Sequence, residues 1–186
     1  QPRSRGDDSK MKIQSVRAIP VKLPLPHVME WATGRMTAQS HVLVRIMTDE
    51  GIEGIAEAIP RENIYGETQM GMVHVINDHM APLIVGADPF DTEKIHEKME
   101  FIKSNLAAKG GIDVALWDII GKACGKPIWK LLGGYRESIA PSRILWLSTD
   151  EVLADQAREL NERGYRAFKV KGGADPDADI RRIHLL

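Results

Sequence analysis

Alternation of apolar and polar positions is strictest between His41 and Ala58, where His41-Val42-Leu43-Val44-Arg45-Ile46-Met47 and Ile52 to Ala58 flank Thr48-Asp49-Glu50-Gly51. A period of two broken by an Asp/Gly turn predicts a β-hairpin. Before it, Ile13, Val16, Ile19 and Val21 suggest an extended segment from Met11, stopped by Pro24 and Pro26. A polar, glycine-containing loop is then expected from His27 to Ser40. The sum is a small antiparallel sheet.

After a second loop, Ile59 to Glu67, the period changes. Met72, Val75, Ile76 and Met80 form one helical stripe that ends near Pro82, and a further helix opens at Asp91 with Ile95, Met99 and Ile102 inward. The clearest helical repeat is Ile112, Ala115, Leu116, Ile119, Ile120 and Ala123, stopped by Gly125-Lys126-Pro127. Pro127 to Leu132 reads as a short turn closed by Gly133-Gly134. Trp117 and Trp129 are expected to pack. Asp113 and Asp118 are five apart, roughly 140° around a helix, and so make no carboxylate pair. His74, His79 and His96 lack the i, i+4 partner of a helical metal site and read as surface or half-buried histidines.

A third pattern follows. Leu153, Ala157 and Leu160 repeat at helical spacing, and Ala167-Phe168-Lys169-Val170-Lys171 is a short strand that leads into Gly172-Gly173. Asp175 and Pro176 then read as the N-cap and first position of another helix. The alternating Asp175, Asp177 and Asp179 lack the glycine and the twelfth-position glutamate of a calcium loop. Helix, strand, Gly-rich turn and helix make a βα unit of barrel type, and in such barrels the chemistry sits where strands end.

Residues i and i+2 of a strand share a face, which puts Lys169 and Lys171 together, opposite Phe168 and Val170. Two close ammonium groups each disfavour the charged form of the other, and burial acts in the same direction. That is one way to make a lysine into a proton-abstracting base.

Composition removes several classes of function. The chain has 186 residues, 43% hydrophobic and 27% charged, with a net charge of −1, so no basic surplus invites nucleic acid. No apolar run reaches bilayer length. The single Cys124 fits a reducing, cytoplasmic compartment. Residues 1–10 are polar and aperiodic and read as a disordered leader, in which Arg5-Gly6-Asp7 is an accidental adhesion-like tripeptide.

The run Ala107-Ala108-Lys109-Gly110-Gly111-Ile112-Asp113-Val114-Ala115-Leu116-Trp117-Asp118-Ile119-Ile120-Gly121-Lys122, then Cys124-Gly125-Lys126-Pro127-Ile128-Trp129-Lys130-Leu131-Leu132-Gly133-Gly134 and the later Lys-x-Lys strand, resembles the mandelate racemase/muconate lactonizing branch of the enolase superfamily. The resemblance extends from Met11 to the C-terminus. It implies an α+β capping domain over 11–135, followed over 136–186 by the start of a (β/α) TIM-type barrel, truncated after about one and a half βα units. A barrel of about 250 residues spends about 31 on each unit. Strand one is expected from Ser138 to Leu147, and its helix at a capping box, Ser148-Thr149-Asp150-Glu151.

The implied activity is metal-assisted removal of the proton α to a carboxylate, by a racemase/epimerase, a cycloisomerase or an acid dehydratase. By position, Lys171 would be the base and Lys169 its helper. His27, Trp31, Arg35 and Tyr65 would be substrate contacts on capping loops. Loop detail at Tyr65-Gly66-Glu67 and Ala107 to Gly111 leans toward the muconate-cycloisomerase-like group. The resemblance also implies Mg²⁺ for the full-length protein, on acidic ligands expected beyond Leu186. This chain alone would then hold no metal and be inactive. The expected partners are a small-molecule carboxylate and further copies of the chain, with neither nucleic acid nor membrane. The alternative reading is a non-catalytic binding or assembly module that keeps the fold.

Overall fold

A computed structural model describes residues 10–31, 34–64, 66–173 and 175–186, apart from the side chains of His27, Glu30 and Trp31. The chain divides into two units: one runs to Leu23 and resumes over Ser40–Tyr135, and the other joins the described part of Pro24–Gln39 to Arg136–Leu186. The alternating segments form a sheet of β1 (Ile13–Trp31), β2 (Gly34–Thr48) and β3 (Glu53–Ala58), in the order β1-β2-β3. β2 and β3 are antiparallel, with Val42 opposite Ala58 and Met47 opposite Glu53. Val42, Val44, Ile46, Ala56 and Ala58 are all buried on one face. The hairpin turn is closed by Thr48, whose Oγ1 accepts from the Ile52 N–H at 3.0 Å, and by Gly51 at a φ of 79°.

The expected break at Pro24 and Pro26 does not occur. β1 continues through both prolines, and the segment expected to be a loop between His27 and Ser40 supplies the end of β1 and the start of β2. β1 lies at the edge of the sheet with a neighbour on one side only. An edge strand tolerates proline because alternate N–H groups on it face no neighbouring strand.

Helices cover the sheet. α1 (Gln69–His74) begins at Thr68, whose hydroxyl accepts from the Gly71 N–H. It runs through a π-helical turn (Val75–Met80) into α2 (Ala81–Ile84). This helix passes Pro82 by two residues. Proline cannot donate within an α-helix, and just before it the Ala81 N–H reaches back five residues to the Ile76 carbonyl. Met72, Ile76 and Met80 are buried as expected.

α3 (Thr92–Met99) buries Ile95 and Met99. It is tied to α4 (Leu106–Cys124) by Lys109 Nζ to Glu100 Oε1 at 2.8 Å and His96 Nε2 to Asp113 Oδ1 at 2.9 Å. The Lys109 hydrogen bond holds the Glu100 carboxyl below its usual value. α4 buries Ile112, Ala115, Leu116, Ile119 and Ile120, whereas Ala123 is exposed, because Gly125 ends the helix in a left-handed cap at φ 59°. The segment expected as a turn after Pro127 is a short helix, α5 (Ile128–Leu131). Trp129 is 40% exposed, with Lys130 Nζ 4.2 Å from its ring centroid, so it does not pack inside as expected.

α4 sits on the hairpin with almost no clearance. A Cβ on Gly54 would lie 2.2 Å from the Ala115 carbonyl oxygen, and one on Gly111 would lie 3.0 Å from both Val44 and Ala58. Asp118 Oδ2 accepts from the Ile55 N–H at 2.8 Å, and Lys122 Nζ donates to the Glu53 carbonyl at 2.7 Å. The open edge of β3 is thereby satisfied by helix side chains. At the other end of α4, buried Glu67 accepts from the N–H groups of Ala107 (2.8 Å) and Ala108 (3.1 Å). A carboxylate there completes two orphan donors and faces the positive end of the helix dipole.

In the second unit, β4 (Ser142–Leu145) and β5 (Ala167–Val170) pair in parallel, linked by α6 (Asp150–Glu162), and α7 (Pro176–Leu185) follows. β4 is shorter than the Ser138 to Leu147 expected. Thr149 rather than Ser148 caps α6, accepting from the Val152 N–H. Asp175 caps α7 through the N–H groups of Asp177 and Ala178, with Pro176 in the first turn. Asp179 accepts from the Gly173 N–H at 2.9 Å and pairs with Arg182. Leu145, Leu153 and Ala157 form a small core, against which Leu160, Phe168 and Val170 pack.

Two outcomes follow for the first unit. Gly54→Ala destabilises it by about 3 kcal/mol in denaturant unfolding, whereas Gly110→Ala, with nothing within 4 Å of the new methyl, is neutral or gains up to about 1 kcal/mol. Glu67→Ala lowers the unfolding free energy by about 2 kcal/mol by stranding two amides, and Glu67→Gln by about half as much.

Candidate active site on the lysine strand

The geometry of the lysine strand is set by what lies behind it. Phe168 and Val170 pack toward α6 with Leu145 and Leu153, and the pleat therefore turns Lys169 to the other face of the two-stranded sheet. Lys171 stands one residue past the end of β5 and is half-buried, and its N–H donates to the Leu145 carbonyl at 3.0 Å. The parallel register puts Ile144 beside Lys169. The same parity brings Trp146 beside Lys171, whose Nζ lies 5.6 Å from the indole centroid. Lys169, Lys171, Ile144 and Trp146 thus share the side away from the helices, and the two longest polar side chains emerge where β5 ends.

The remaining residues expected at the site are placed as follows. Arg35 is exposed on β2, within the stretch that groups with the lysine strand in the second unit. His27 and Trp31 lie on β1, and their side chains are outside the described residues, as is Tyr65 altogether. Trp146 was not singled out from the sequence, although it stands at i+2 from Ile144, the same parity signal that identified the lysines. In the first unit, a cavity of about 790 Å³ is lined by Ile64, Glu67, Leu106, Gly111 and Val114. Glu67 there serves the start of α4.

No group of three or more His, Cys, Asp or Glu side chains is gathered for a metal ion among the described residues. The described residues therefore do not form a Mg²⁺ site. No described helix is long and apolar enough to cross a membrane.

The chain is similar to known proteins. Residues 13–133 match the family model of the mandelate racemase / muconate lactonizing enzyme N-terminal domain. The chain is 31% identical to the N-succinyl-L-Arg/Lys racemase of Bacillus cereus, over 95% of its own length and 48% of the racemase. Among solved structures, the dipeptide epimerase of Enterococcus faecalis, complexed with Mg and the dipeptide L-Leu-L-Tyr, superposes with a TM-score of 0.89 at 34% identity, over 94% of this chain and 49% of that one. The muconate lactonizing enzyme of Pseudomonas fluorescens, complexed with muconolactone, gives 0.87 at 31%, over 95% and 49%. The chain spans about half the length of the curated relatives it matches. Its architecture is that of their N-terminal half, a capping domain followed by the opening βα units of a barrel. The chain therefore belongs to the mandelate racemase/muconate lactonizing enzyme family of the enolase superfamily, with residues 13–133 as the family's N-terminal domain.

Proposed function

We propose that the protein to which this chain belongs removes the proton α to the carboxylate of a small organic acid, with Lys171 as the base. The observation that carries this reading is the placement of Lys171 at the C-terminal end of β5, on the face turned away from the helix layer. Barrel enzymes do their chemistry at that end of the strands. Lys169, on the same face, supplies positive charge for the substrate carboxylate. Trp146 lies beside Lys171, with its indole centroid 5.6 Å from Nζ.

Arg35, His27, Trp31 and Tyr65 are proposed as substrate contacts. For Arg35 the support is its exposure and its membership of the unit that holds the lysines. A guanidinium can grip a carboxylate with two parallel hydrogen bonds.

The relatives include a racemase, a dipeptide epimerase and a muconate lactonizing enzyme. Racemisation, epimerisation, cycloisomerisation and dehydration share the abstraction step, and the proposal is confined to it. Mg²⁺, which the Enterococcus faecalis epimerase structure contains, would stabilise charge on the substrate. The described residues gather no group of three or more carboxylate or imidazole side chains for it. Two strands do not close a barrel, so this chain alone is proposed to be inactive. A homo-oligomer in a reducing, cytoplasmic compartment completes the reading, the latter on the strength of the lone Cys124.

The test is exchange of the α-hydrogen with D₂O by the full-length protein in Mg²⁺, over N-acylamino acids, dipeptides and muconolactone. Exchange with one class is expected, and Lys171→Ala lowers its rate by about 10²–10⁴-fold. Arg35→Ala raises KM for the same substrate by about 10–100-fold with a smaller change in kcat, as loss of a charged hydrogen bond predicts. Absence of exchange with every class favours the non-catalytic module instead.

A further inference from the structure

His74 and His79 are five residues apart, a spacing that in an α-helix leaves side chains roughly 140° from each other. The π-helical turn between them removes that separation. With hydrogen bonds running from i to i+5, residues five apart come onto one side of the helix. The two Nε2 atoms are 3.3 Å apart, with ring centroids at 4.9 Å and ring planes at 88°. On the far side of the same turn, Val75, Ile76 and Met80 are buried, and Asn77 exchanges hydrogen bonds with the backbone of Ala18, accepting at 2.8 Å and donating at 3.3 Å. The turn is therefore held in place from behind while the two imidazoles face solvent.

We infer that His74 and His79 chelate one divalent transition-metal ion of the Zn²⁺ type through their Nε2 atoms. Zn–N bonds of about 2.0–2.1 Å at a tetrahedral angle set two donor nitrogens about 3.3–3.4 Å apart, the separation already present. Asp78 Oδ2 lies 2.6 Å from His74 Nδ1. A carboxylate there keeps the proton on Nδ1, leaves the Nε2 lone pair for the metal and orients the ring. His74 is 66% exposed, so an ion reaches the pair from solvent and completes its coordination with water. Neutral imidazoles favour Zn²⁺, Cu²⁺ or Ni²⁺ over Mg²⁺, which takes oxygen ligands. The site is thus different in chemistry from any Mg²⁺ site of the reaction, and it stands independently of the role proposed for Lys171.

The experiment is titration of the full-length protein with Zn²⁺ in excess Mg²⁺, followed by calorimetry and by the anomalous signal of the ion in crystals. Wild type is expected to bind one equivalent that His74→Ala and His79→Ala each weaken by at least 10-fold. Asp78→Asn is expected to weaken it by about 10–100-fold through the tautomer of His74. Because these side chains are exposed, the variants should melt with wild type when Zn²⁺ is absent, and only wild type should gain Tm when it is added. Equal Zn²⁺ stoichiometry and affinity in wild type and both histidine variants, or an ion located away from the two Nε2 atoms, overturns the inference.

Discussion

The pleat of one short strand constrains the catalytic role proposed for this chain. Phe168 and Val170 are partly withdrawn from water by packing on the small core of Leu145, Leu153 and Ala157. Once they turn that way, Lys169 has no choice of face, and a shift of one residue would exchange the two sets entirely. The parallel ladder from Ser142↔Ala167 to Leu145↔Val170 fixes the register and carries Lys171 past the strand end beside Trp146. Burial of two apolar side chains thus aims two amines.

A different economy governs the capping domain. There the sheet and α4 approach so closely that glycine is required on both sides, at Gly54 and Gly111, and the polar groups left over at the edges are taken up by Asp118, Lys122 and Glu67. They hold the framework of the first unit. The division explains why the part of the molecule with the best-formed core carries little of the proposed chemistry.

Much of this was legible in the residues. Period-two alternation gave the β2–β3 hairpin, period-3.6 repeats gave α4 and α6, and the caps at Asp175 and Gly125 follow from residue type alone. The parity of Lys169 and Lys171 was legible for the same reason. What was not legible depends on tertiary context. Pro24 and Pro26 read as strand breakers, and only the position of β1 at the sheet edge makes them harmless. His74 and His79 read as strangers at α-helical pitch, and only the π turn unites them. Trp129 reads as a packing residue, and it is 40% exposed with Lys130 over its ring. Periodicity reports a local geometry and is silent where a neighbour changes that geometry.

The most direct measurement is a crystal structure of the full-length protein with a bound carboxylate substrate or a slow analogue. The account predicts Lys171 Nζ within about 3.5 Å of the carbon that bears the exchangeable hydrogen, with Phe168 and Val170 on the opposite side of the strand. A ligand seated against Phe168 and Val170, with both lysine amines directed into bulk water, would contradict it.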